Sequence, residues 1–256
     1  MRRLPAVFRV RFMSAILSLV IASGALNPLV AQQPADSSQP SSGGLRWWHG
    51  ALAVGGFTAL TLLDNPVHRF IQDNRSGTSN DVASVFRHFG QPEAYATASL
   101  GLLAAGLISG NRSLTNAGIR VTSAVALTGG LVYLGKYSFG RARPSEAGRD
   151  ADDYYPFSGR GSMPSGHSAI AFSLATALSD EIRNTWATVG LYALATGTAY
   201  SRLNDNDHWF SDVVAGAAVG FISAKFATGR MSVFGIRAPS FIPRQGGVSV
   251  GWSHQF

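Results

Sequence analysis

The chain has no cysteine among its 256 residues, so structural disulfides and thiolate metal sites are excluded and the redox compartment cannot be read from this source. A metal ion would have to be held by histidine and carboxylate. Of the six histidines, His49, His68, His88 and His254 are scattered without ligand-like spacing and read as surface or packing residues. Charge is also scarce, at 14% of residues, so any cluster of it beside apolar sequence asks for a reason. The formal charge of +7 is not a nucleic-acid footprint, because Arg2, Arg3, Arg9 and Arg11 supply four of those charges within the first eleven residues. Without them 17 basic residues face 14 acidic ones, leaving +3. No period of roughly 20 to 50 residues repeats, which removes a solenoid. Long unbroken apolar runs are missing too, and mean hydropathy is only +0.11.

What is present falls into four segments. The arginines lead into an apolar run from Phe12 to Ala22 and then to Leu29-Val30-Ala31 before Gln32, the pattern of a secretory signal peptide over residues 1–31. Residues 32–46, rich in Gln, Pro, Ser, Asp and Gly, read as a linker too polar to build a core. Six apolar stretches follow at 50–63, 94–109, 119–135, 167–179, 185–200 and 209–226, each long enough for a helix. They predict an all-α six-helix bundle over 47–228. Each stretch falls short of the roughly 20 residues of a membrane span. If they did cross, three crossings would return the segment after the third helix to the cytoplasm. The sequence therefore points to an exported bundle, periplasmic or docked on the periplasmic face of a membrane, with an integral membrane bundle as the alternative. Residues 229–256 read as a short β-hairpin or tail, with strand-like alternation at Ser232–Ile236 and Gly247–Trp252.

Three polar clusters interrupt this scaffold. Lys136 to Pro144, at the end of the third stretch, offers an ammonium and the guanidiniums of Arg141 and Arg143. An Arg fork matches two phosphate oxygens and Lys adds a compact charge, although cations also cap helix C-termini for dipole reasons alone. Pro164-Ser165-Gly166-His167 opens the fourth stretch, where free backbone N–H groups and the dipole favour an anion. Ser165 there is also an ordinary N-cap residue. Ser201-Arg202 through His208 to Asp212 spans the fifth and sixth stretches. With a helix starting near Asp207, His208 and Asp212 would share one face, and a carboxylate on one imidazole nitrogen leaves the other free to attack. In an antiparallel bundle all three clusters fall at the same end.

Lys136 with six residues before Arg143-Pro144, then Pro164-Ser165-Gly166-His167, then Ser201-Arg202 with five residues before His208 and three more before Asp212, resembles the three-part signature of the type 2 phosphatidic acid phosphatase and vanadium haloperoxidase superfamily. The resemblance implies an all-α core over about 48–226. It implies that Lys136, Arg143 and Arg202 bind phosphate with help from Ser165 and Gly166, that His167 is the general acid, and that His208 is the nucleophile with Asp212 as its partner. It also implies a phosphatase for phosphomonoesters or diphosphates, lipid-linked ones such as phosphatidic acid, phosphatidylglycerol phosphate or prenyl diphosphates, with a phosphohistidine intermediate and no metal or other cofactor. Two alternatives stay open. The same pocket could hold vanadate as a haloperoxidase, or the cations could merely bind anionic headgroups. Asp152, Asp153, Tyr154 and Tyr155 are candidates for shaping substrate entry, and Trp47 and Trp48 for contact with lipid headgroups.

Overall fold

The structure is a computed structural model that describes residues 47–148, 150–244 and 247–251. The signal-peptide and linker expectations lie outside the described residues, as does the end of the expected tail. The described residues are predominantly helical: α1 (Trp47–Thr61), α2 (Asp64–Asp73), α3 (Gly77–Arg87), α4 (Pro92–Ser109), α5 (Arg112–Phe139), the single turn α6 (Pro144–Ala147), α7 (Gly166–Ile182), α8 (Thr185–Asn204) and α9 (Phe210–Ala227). Local chemistry sets the boundaries. Asn111 and Asn184 cap α5 and α8 by accepting from the N–H groups of Leu114 and Ala187, the normal service of a short polar side chain. Gly140 ends α5 in the left-handed region at φ 56, and a Cβ there would lie 1.7 Å from the Tyr155 carbonyl. Only glycine fits.

The sequence predicts six helices, whereas eight of two turns or more are present among the described residues. The two extra ones, α2 and α3, contain no apolar run. Their buried apolar side chains, Val67 and Ile71 on α2 and Ala83 on α3, are too few or too widely spaced to form one. Helix α5 runs for 28 residues because polar residues extend it at both ends, so α5 and α9 are long and apolar enough to cross a membrane by length and composition. The expected strand at 232–236 is instead a tight bridge between Val233 and Ile236, where Phe234 and Gly235 both take positive φ and turn the chain back. Ser240–Arg244 (β1) and Gly247–Gly251 (β2) pair antiparallel, with Ser240 opposite Gly251.

Helix α7 is central and packs on α5, α8 and α9. The core joins Val121, Ala124 and Val125 of α5 to Ile170, Leu174 and Ala177 of α7 and Ala224 of α9. Glycines let α9 lie directly on α7: a Cβ at Gly216 would stand 2.4 Å from the Ser165 carbonyl oxygen, and one at Gly220 2.0 Å from that of Ala169. At the C-terminal end of α7, Arg120 grips Glu181 with two 2.6 Å bonds. Asp180 there accepts from Lys225 and Thr228. Those pairs tie three helices together at one end. The other end carries the remaining polar chemistry.

Candidate active site

The turn between α8 and α9 supplies the centre. Arg202 lies in the last turn of α8 and is 3% exposed. Its Nη2 is held by Asp207 and Asp205, while Nε and Nη1 have no hydrogen-bond partner among the described residues. Two N–H-bearing nitrogens of a buried cation left unmet are costly unless something fills them. His208 is 4% exposed, and burial holds its imidazole below the ordinary histidine range against the opposing pull of Asp212. Burial therefore favours the neutral, electron-rich ring at His208.

Helix α9 begins at Phe210 rather than near Asp207, so His208 precedes it instead of riding on its face. Asp212, in the first turn, folds back to accept the Trp209 N–H at 2.9 Å and so starts the helix after the histidine. Its Oδ2 also accepts from the Ser162 hydroxyl at 2.5 Å and faces His208 Nδ1 at 3.6 Å. That separation is longer than a hydrogen bond.

The other two clusters meet this centre. Lys136, at the end of α5, donates from Nζ to the Gly161 carbonyl, and its Cε stands 3.9 Å from where a Gly166 Cβ would be. Arg143, in the loop after α5, reaches Asp207 at 3.4 Å. Ser165 is fully buried at the start of α7 yet makes no capping bond with its side chain. Its hydroxyl accepts from Ser168 at 3.1 Å, and its backbone N–H donates to the Asp212 carbonyl at 3.0 Å. His167, one residue into α7, is held down to about 4 by burial and then by the neighbouring Arg202 and His208. Every residue picked out by the three clusters is thus at one end of the bundle. Of the scattered histidines, His68 bonds Asn206 at 2.6 Å and packs on Trp209, which makes it a packing residue beside the His208 turn. Tyr154 and Tyr155 lie against Arg141 and Arg160, respectively.

The PAP2 superfamily model matches residues 117–233, a stretch that includes Lys136, Arg143, Ser165, Gly166, His167, Arg202, His208 and Asp212. Over those residues, just under half of the chain, the sequence is that of the PAP2 superfamily. Over 100 residues it is 46% identical to the lipid A 1-phosphatase of Porphyromonas gingivalis, which is 38% of this chain and 20% of that protein. The chain therefore spans about a fifth of the length of that curated relative. Among solved structures, LpxE of Aquifex aeolicus is 25% identical with a TM-score of 0.53, covering 65% of this chain and 94% of that one. The Bacillus subtilis PAP2-type phosphatidylglycerolphosphate phosphatase shares the fold at 17% identity and a TM-score of 0.54, over 68% of this chain and 90% of its own.

Sequence reasoning missed three buried residues behind the candidate site, Asp64, Ser162 and Ser211, and misread a fourth, Arg141. Arg141 had been grouped with Arg143 as a phosphate cation. In the structure all its donors point elsewhere, to Ala151, Ser211, Asp212 and Asp64, so it has nothing left to offer an anion.

Proposed function

We propose that this chain is a phosphatase that removes phosphate from a lipid-borne monoester or diphosphate through a phosphohistidine on His208. The observation that carries this reading is Arg202: a guanidinium almost wholly buried, anchored on one side by Asp207 and open on the other at Nε and Nη1, beside a buried neutral histidine. A phosphoryl group between them would satisfy both nitrogens with a planar, two-pronged contact.

With Asp212 on Nδ1, the Nε2 lone pair of His208 attacks phosphorus in line with the leaving oxygen. The P–O bond breaks, and His167 passes a proton to the departing oxygen. Lys136, Arg143 and Arg202 hold the equatorial oxygens while charge is redistributed. His167, now without its proton, takes one from water. The resulting hydroxide attacks the phosphohistidine, and inorganic phosphate leaves with His208 restored. No step calls for a metal ion. The low proton affinity of His167 fits this cycle, since an incoming phosphate offsets the charge of Arg202 and restores the proton.

The lipid character of the substrate is supported by the relatives and by surface composition. Leu52, Leu107, Ile108, Leu134, Trp186 and Val189 are all more than half exposed, more apolar surface than a water-facing bundle carries without a partner. We infer that these faces meet lipid. The test is phosphate release from phosphatidic acid, phosphatidylglycerol phosphate, prenyl diphosphate and a soluble aryl phosphate, with added chelator, by wild type and His208→Ala. Wild type should prefer a lipid substrate and show acid-labile label on histidine in a quenched reaction. His208→Ala should be folded and inactive, and turnover by that variant would sink the mechanism.

A further inference from the structure

Resting on the phosphatase reading above, we propose that Asp64 and Arg141 are positioning residues that fix Asp212 and, through it, His208. Asp64 comes from α2, outside the 117–233 stretch matched to the family.

Arg141, Asp64 and Asp212 are each 0% exposed. Arg141 is packed between the rings of Tyr154 and Trp209, at 5.1 and 5.4 Å from their centroids. Its Nε and Nη2 donate to the Ala151 carbonyl at 3.0 and 2.6 Å, Nη1 to Ser211 Oγ at 2.8 Å and Asp212 Oδ1 at 2.7 Å, and Nη2 to Asp64 Oδ2 at 2.7 Å. Five bonds for five N–H groups use every donor that a guanidinium has. Asp64 is equally committed, since it accepts from the Ser211 N–H at 2.7 Å and the Ser211 hydroxyl at 2.6 Å as well as from Arg141.

The consequence falls on Asp212. Its Oδ1 is held by Arg141 and its Oδ2 by Ser162 and the Trp209 N–H, so the carboxylate plane cannot turn without losing a charge-assisted bond. The direction left open is toward His208 Nδ1. A buried carboxylate–guanidinium–carboxylate triplet is a poor way to gain stability, because desolvating three charges offsets most of their attraction. It is a good way to hold one carboxylate still. The triplet also carries one net negative charge behind the imidazole, which favours the positive charge that the ring acquires when Nε2 is bonded to phosphorus. On the other side the imidazole faces Lys136 and Arg143, and also His167, whose positive charges act in the opposite sense.

This distinguishes positioning from mere packing, because Asp64 and Arg141 carry opposite charges and so should shift His208 in opposite directions. Asp64→Asn removes a negative charge and makes the imidazolium harder to form, so the acid limb of the kcat/KM profile moves to lower pH. Arg141→Gln removes a positive charge and moves that limb to higher pH. Both should lower kcat roughly ten- to hundred-fold, the size seen when the group behind a functional histidine is lost, with KM for an aryl phosphate nearly unchanged. Asp64→Glu should recover part of the loss. Ser211→Ala, which deletes only the hydroxyl shared by Arg141 and Asp64, serves if Asp64→Asn does not fold, and should lower kcat without moving KM.

Wild type and His208→Ala are run alongside on the full chain. If wild type is active and depends on His208, but the folded Asp64→Asn or Ser211→Ala chain keeps its kcat and its acid limb, the positioning role is wrong and the phosphatase reading survives. If wild type releases no phosphate at all, both fall together.

Discussion

The contact of α9 on α7 gives a sharp mechanical test through Gly220. A Cβ there would sit 2.0 Å from the Ala169 carbonyl oxygen, 2.9 Å from its carbon and 2.9 Å from Ser173 N, where ordinary contact begins at 3.4 Å. The obstacles are all backbone, so a Gly220→Ala methyl cannot be relieved by a rotamer change, and α9 must back away from α7 by more than an ångström. Overpacking of this kind costs roughly 1–3 kcal/mol, and at about 2–4 °C per kcal/mol for a chain of this size the melting temperature should fall by several degrees. Activity should suffer more than stability. Asp212 rides on the first turn of α9 and is tied to Ser165 at the start of α7 by a 3.0 Å backbone bond, so the displacement opens the site between its two halves. Misplacement by about 1 Å can cost on the order of 10²-fold in rate. The assay is thermal unfolding and aryl phosphate hydrolysis on the same preparations. Gly129→Ala is the control: nothing lies within 4 Å of its Cβ, and in mid-helix it should gain about 0.5–1 kcal/mol. If Gly220→Ala melts and turns over like wild type, the close packing of these two helices does not set the site.

Arg202→Lys keeps the charge but removes the planar fork, including the two unpartnered nitrogens. With charged hydrogen bonds at about 1.5–3 kcal/mol each, kcat/KM for an aryl phosphate should fall at least tenfold per lost bond. An unchanged value would mean that those nitrogens do not meet substrate. The depressed proton affinity of His167, down to about 4, makes anion binding pH-linked. Sulfate stays dianionic over this range and should raise that affinity by offsetting Arg202 and Arg143. Its competitive inhibition constant should therefore weaken as pH rises above about 4, and a flat profile would contradict the reasoning. His167, held below its unfolded value, leaves the unfolded chain with more bound protons between about 6.5 and 4, and the lowered proton affinity of His208 acts in the same direction. Stability should decline as pH falls through that window, readable as a falling melting temperature.

How much of this was legible in the sequence depends on distance along the chain. Lys136 and Arg143, or Arg202, His208 and Asp212, sit within a few turns of each other, and short spacings between chemically unlike residues can be read directly. Ser165 and His167 were legible because a helix start announces itself by Pro, Ser and Gly. Arg141 was visible but misassigned, because its decisive partners lie 77 and 71 residues away at Asp64 and Asp212, and nothing local distinguishes a buried guanidinium from one reserved for phosphate. The start of α9 was placed too early for a related reason. Asp212 spends its side chain on the Trp209 N–H, a capping arrangement that periodicity does not reveal. Helices α2 and α3 escaped notice since each buries only one or two apolar side chains, and their places are fixed largely by polar contacts, His68 to Asn206, Arg87 to Asp205 and Asn80 with Asn204.

Those last contacts bear on how the protein comes into being. Asp64 is bonded to Ser211 across 147 residues, and His68 to Asn206 across 138. During vectorial synthesis α2 emerges early and then waits, with a carboxylate that belongs in the interior, until α8 and α9 have followed. Contacts of such span close late and slowly, and the intervening apolar helices are exposed meanwhile to aggregation. The candidate site is thus completed only when α9 has arrived, and a nascent chain halted before Asp212 would lack both that helix's share of the core and the carboxylate that faces His208.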